Sequence, residues 1–153
     1  MFRHVLAPTD GSVLSEQAVK QAILFAQETG AKITFLFAVD DPETSIYGEA
    51  SLLRSQNPEL LARRTDAVTK GGRDLLANTC AAAQAAGVSS EAKLAMANEP
   101  FEAIVSEAEA GGCDLIIMAS HGYRGVKSLI LGSQTQKVLT HSRIPVLVYR
   151  QGG

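Results

Sequence analysis

The chain has 153 residues, 46% of them apolar and 20% charged, with a formal net charge of −2. That length suits one domain spanning residues 1–153, which on folding buries roughly 70% of the surface its unfolded chain exposes. The charge balance argues against broad electrostatic capture of nucleic acid, which needs clustered Lys and Arg; Arg63-Arg64 is the one adjacent basic pair and reads as a solvated helix face.

Strand and helix signals alternate along the whole chain. Residues 4–7 form a short apolar strand ending at Pro8-Thr9-Asp10-Gly11-Ser12. Ser12 or Ser15 can cap the next helix, where Ala18, Val19, Ala22, Ile23 and Ala26 share a face and Gly30 ends the run. The second strand, 33–39, is almost continuously apolar, which predicts a parallel sheet covered on both faces. Residues 40–57 lose the pattern and read as an exposed loop with a short helical turn near 50–54.

A long helix is predicted from 58 to 86. Gly71-Gly72 would interrupt it at about 1 kcal/mol per glycine, with a bend there. A third strand at 90–97, a helix at 100–110 and a fourth strand at 114–119 follow. The last helix runs from 133 to about 142, and the last strand from 144 to 149.

This order specifies an α/β fold: a doubly wound parallel sheet with helices on both faces. Ligands on such sheets bind beyond the carboxyl ends of the strands, where strand order reverses. Three segments meet that rule: 8–12, 38–40 and 119–125. The third follows Ile116-Ile117-Met118-Ala119-Ser120-His121-Gly122, and nine residues later comes Gly132-Ser133-Gln134-Thr135. Glycines let a triphosphate approach the backbone, and a helix start offers free N–H groups and a partial positive charge. Ser133 and Thr135 would add hydroxyl donors. A turn and a cap are the alternative reading of Gly132-Ser133; the strand before and the helix after favour binding.

Asp10 could accept from a ribose or a base amine, hold a phosphate-bound metal, or close an Asx-turn. Ala38 and Val39 would wall a base. His121 suits loop packing or a phosphate contact, and Arg124 and Lys127 could neutralise phosphate charge. His4 and His141 read as structural or exposed, and Asp114 as a partner for backbone. Cys80 and Cys113 lack a CxxC partner, so they read as reduced thiols and not as a metal site. There is no GxxxxGK[ST], no GxGxxG after the first strand, no HExxH and no GxSxG, which disfavours a P-loop ATPase or a dinucleotide dehydrogenase. No apolar run approaches the ~20 residues of a membrane span, and the amino terminus does not read as a signal peptide. A cytoplasmic protein is expected.

Leu6-Ala7-Pro8-Thr9-Asp10-Gly11-Ser12, the stretch from Asp114 to Gly122, Leu131-Gly132-Ser133 and Ile144-Pro145-Val146-Leu147-Val148 together resemble the universal stress proteins, over essentially the full length. The resemblance implies a five-stranded parallel Rossmann-like fold, a homodimer and a cytoplasmic stress response. It also implies ATP, alone or with Mg2+, as ligand. The ATP-binding branch carries G-x2-G-x9-G-[ST]; here the spacing holds at 119, 122, 132 and 133, with Ala119 in the first position and Gln134 where a small apolar residue is common. If position 119 needs a positive φ, alanine costs roughly 1–2 kcal/mol; if it needs only a slim side chain, the methyl is tolerated.

Residues and resemblance together nominate Pro8, Thr9, Asp10, Ala38, Met118, Ala119, His121, Gly122, Arg124, Gly125, Gly132, Ser133, Gln134 and Thr135 as nucleotide-binding, with no catalytic residue. Pro145 cannot donate to a ladder, so the last strand suits a sheet edge that pairs with a second copy through residues 144–149. A regulatory protein partner is expected, with nucleic acid and membrane excluded. The expected function is regulatory ATP binding. A nucleotide-independent dimeric interaction protein and a slow ATP hydrolase are the alternatives.

Overall fold

The computed structural model describes residues 1–44, 48–122 and 131–151. Its elements run β1 (His4–Pro8), α1 (Val13–Thr29), β2 (Lys32–Asp40), α2 (Gly48–Gln56), α3 (Pro58–Ala85), β3 (Ser90–Ala97), α4 (Pro100–Ala110), β4 (Leu115–Ala119), α5 (Ser133–His141) and β5 (Val146–Tyr149). The five strands form one sheet of order β3-β2-β1-β4-β5. All neighbours are parallel.

Period-two alternation divides each central strand between two cores. Val5, Ala7, Ile33, Phe35, Leu115 and Ile117 pack with Val19, Ala22, Ile23 and Ala26 of α1 and Leu76 and Ala83 of α3. Leu6, Leu36, Ile116 and Met118 point the other way, onto Ala103, Ile104 and Ala108 of α4 and Val138 of α5. The near-continuous apolar runs are therefore buried on both faces, as the sequence predicts. Ser12 caps α1 through Ser15 N, and Gly30 ends it in the left-handed region at φ 78°.

Two expectations change. Residues 48–56 form a nine-residue helix where a loop with a short turn was predicted. Among the described residues α2 packs chiefly on α3, where Glu49 pairs with Arg64; Arg54 Nη1 also donates to the Pro42 carbonyl, just after β2, at 3.2 Å. Its support is another helix, so it needs no strong apolar stripe. Around Gly71-Gly72, α3 is continuous helix, not an interrupted one. A methyl at Gly72 would run into the Phe37 ring of β2, so that glycine makes room for packing.

Asp114 works on backbone as predicted. Its carboxylate accepts the N–H groups of Arg3 at 2.9 Å and His4 at 3.0 Å, pinning the entry of β1 to that of β4. β5 starts at Val146, two residues later than predicted, and lies at the sheet edge. Pro145 accepts from Ile116 N at 2.9 Å but has no N–H to return. Among the described residues no helix is long and apolar enough to cross a membrane.

Candidate functional site

From β1 the chain steps to β2 and β3 on one side, while β4 and β5 lie on the other, so strand order reverses between β1 and β4. Beyond the carboxyl ends of these strands lies a cleft of about 400 Å³. The first wall is the turn after β1. Thr9 N donates to the Leu36 carbonyl at 2.9 Å, tying this turn to β2. Ser12 N donates to Asp10 Oδ1 at 2.9 Å, an Asx-turn, and Gly11 sits at φ 83° where a side chain would be strained. Asp10 therefore performs the structural role open to it and also lines the cleft.

The second wall is the end of β4. Ala119 is buried strand, and among the described residues only glycines have positive φ. Position 119 thus does not require the left-handed region, and its alanine carries no such strain. Gly122 lies against Asp10, where a methyl would meet the carboxylate oxygen Oδ2. Ser120 Oγ and His121 Nδ1 are 2.9 Å apart.

The third wall is the start of α5. Gly132 N donates to the Ser120 carbonyl at 2.8 Å, and a methyl on Gly132 would lie 3.0 Å from that same oxygen. Gly132 is the N-cap and has no side chain to offer the first turn, which holds no acidic residue. The positive end of the helix dipole faces this wall, a setting that favours an anion. Thr135 differs from its expected use: its buried hydroxyl donates to the carbonyls of Ala119 at 3.0 Å and Ser120 at 3.1 Å, fastening α5 to β4.

Pro8, Thr9, Asp10, Ala38, Met118, Ala119, His121, Gly122, Gly132, Ser133, Gln134 and Thr135 all line this cleft. Arg124 and Gly125, with Lys127, lie outside the described residues. Sequence reasoning missed Ser15, Leu36, Pro100 and Ile104 as cleft residues; Asp40 closes one of its candidate segments but was not nominated. Ile104 reads as an ordinary core position of α4, and only the packing of that helix against β2 brings it to the cleft. Asp40 carries one legible signal, its place at the carboxyl end of β2.

The cleft divides chemically. Pro8, Leu36, Ala38, Ile104 and Met118 make an apolar part that suits a flat ring, while Gly122, Gly132 and Ser133 bring backbone close. Among the described residues no cluster of three or more His, Cys, Asp or Glu could by itself hold a metal ion. At the opposite end of the sheet His4 Nε2 lies 2.7 Å from Thr34 Oγ1. Burial and the Lys32 charge hold its pKa below the usual histidine value. Burial pushes the Cys113 thiol up to about 11, so it is an unreactive core group.

A universal stress protein of Thermus aquaticus is 34% identical over 150 residues, covering 98% of this chain and 100% of its own. Universal stress protein MJ0577 of Methanocaldococcus jannaschii is 29% identical, covering 99% of this chain and 96% of its own. The solved MJ0577 structure matches with a TM-score of 0.82 at 27% identity, over 100% of this chain and 99% of that one. A universal stress protein solved in complex with cAMP shares the fold at TM-score 0.71 and 24% identity, over 99% of each chain. With the universal stress protein family model also matching residues 1–150, the chain belongs to that family.

Proposed function

We propose that this protein binds ATP as a regulatory ligand and works as a homodimer. The observation that carries the reading is convergence: segments 8–10, 118–122 and 132–135, far apart in sequence, close on one cleft. ATP fits their chemistry. The apolar part receives adenine, and Asp10 offers a carboxylate for ribose or for a phosphate-bound Mg2+, which needs only one or two carboxylates from protein. The triphosphate would lie beside Gly122, Gly132 and Ser133, where the start of α5 offers first-turn N–H groups and the Ser133 hydroxyl. Occupancy regulates only if ATP binds one conformation more tightly than another, and segment 40–57 or the dimer face is where a protein partner would sense it.

Calorimetric titration with ATP and Mg2+ tests this, with AMP, ADP and cAMP as comparison ligands. Saturable heat is expected, with thermal stabilisation that grows with ATP; at a hundred times Kd the gain is about 2.7 kcal/mol. Gly132→Asp, which sets a negative charge against the phosphates, should abolish both. No heat and no stabilisation at millimolar ATP would remove the nucleotide reading and leave a dimeric interaction protein.

The dimer reading rests on β5. It is an edge strand with no fully buried residue, and Leu147 is 43% exposed. Pairing with a second β5 across a two-fold axis would satisfy that edge.

A further inference from the structure

Three side chains on one face of α5 land on the first turn of α4. Gln134 Oε1 accepts the Phe101 N–H at 2.9 Å, and Gln134 Nε2 lies 3.4 Å from Glu99 Oε1. Lys137 pairs with Glu99, and its Nζ stands 5.5 Å from the centre of the Phe101 ring. The His141 ring lies 4.9 Å from that of Phe101. Positions 134, 137 and 141 fall at i, i+3 and i+7, one stripe of a helix.

The hydrogen bond to Phe101 fills a specific need. The first N–H groups of a helix have no partner within it. In α4 the first position is Pro100, which has no N–H, and the N-cap Glu99 gives no side-chain bond. Phe101 therefore carries the first amide of α4, and Gln134 caps it from a different helix. Gln134 and Pro100 both line the cleft, as do Ser133 beside the one and Ile104 one turn beyond the other. The cap thus joins two helix starts that border the same ligand space.

We propose that Gln134 is a positioning residue for the cleft ligand: its carboxamide locks the amino end of α5 to that of α4, so that occupancy of the cleft and order in the first turn of α4 rise together. The inference rests on the nucleotide reading of the cleft. Coupling of this kind is reciprocal: a ligand that favours the locked arrangement tightens the cap, and loss of the cap weakens the ligand.

The test pairs ATP titration with amide exchange at Phe101, read by NMR with and without ATP, for the parent protein, Gln134→Met and Gln134→Glu. In the parent, ATP should slow exchange at Phe101. Gln134→Met keeps the length of the side chain without its hydrogen bonds. It should lose the ATP-dependent slowing and bind ATP about three- to tenfold more weakly, the worth of one hydrogen bond. Gln134→Glu keeps an acceptor for Phe101 N–H and replaces the amide beside Glu99 with a carboxylate oxygen, a repulsion that Lys137, paired with Glu99, offsets; it should retain the slowing even as its charge weakens affinity. It also carries the test if Gln134→Met does not fold. Parent protein that binds ATP with unchanged Phe101 exchange would overturn the inference, as would a Gln134→Met variant that matches the parent in both readouts or a folded Gln134→Glu variant that loses the slowing. Parent protein that gives no heat with ATP would instead overturn the nucleotide reading, and this inference with it.

Discussion

Single side chains at the two ends of the sheet do different work. At the cleft end, two glycines are required by space. Gly122 makes room for Asp10 and Gly132 for the Ser120 carbonyl, while Ala119 continues β4. Ala119→Gly should therefore leave ATP affinity unchanged and cost roughly 0.5–1 kcal/mol of stability through added chain freedom, measured by urea unfolding beside calorimetry. A clear gain in affinity would mean that the methyl obstructs the ligand. At the opposite end, His4 is held below its ordinary pKa by burial and by Lys32, against the pull of Glu91 and Asp114. The unfolded chain then takes up this proton more readily than the folded one, so stability is complete above the unfolded value near 6.5 and falls as pH drops through it. Urea unfolding between pH 8 and 5.5 should show a steeper acid loss for the parent than for His4→Gln, and equal slopes would contradict the assignment.

Elements are held by partners that local sequence does not name. Among the described residues α2 rests chiefly on α3, and its pattern is too polar to announce a helix. α3 shows the reverse: its Gly71-Gly72 pair reads as a weak point, yet the two glycines have opposite surroundings. A methyl at Gly71 meets open space, whereas one at Gly72 overlaps the Phe37 ring. Gly71→Ala should stabilise the protein by up to about 1 kcal/mol through helix propensity. Gly72→Ala should lose that gain and more, by about 1–3 kcal/mol of overpacking. Thermal unfolding of the two variants side by side decides it, and equal shifts would show that Phe37 moves aside freely.

For the whole molecule, the proposed homodimer rests on the edge position of β5. Pro145 and Tyr149 turn their carbonyls to β4, accepting from Ile116 and Ser120 at 2.9 Å each, so the alternate residues Val146 and Val148 direct their backbone groups away from it. Val148→Pro removes one outward donor and leaves the β4 ladder intact. The expected result is a folded monomer by sedimentation at micromolar concentration where the parent is a dimer. A parent that sediments as a monomer, or a variant that remains dimeric, would contradict pairing through residues 144–149. ATP binding measured on the same variant would then show whether the cleft needs the second copy.

The sequence by itself determined the order and type of the strands and most helices, the two-sided burial of the sheet and the edge position of β5. Those follow from periodicity, glycine at Gly30 and proline at Pro145, all of which act within a few residues of chain. It also singled out Gly122, Gly132 and Ser133 by their spacing, and the fold brings all three to one cleft. Tertiary structure alone decided what those residues meet: that Thr135 spends its hydroxyl on β4, that Ile104 and Pro100 join the cleft, that Gly72 seats Phe37 and that Gln134 caps α4. Each of these is a contact between segments remote along the chain. Periodicity fixes which way a side chain points from its own element, but the neighbour it finds depends on how the elements are stacked.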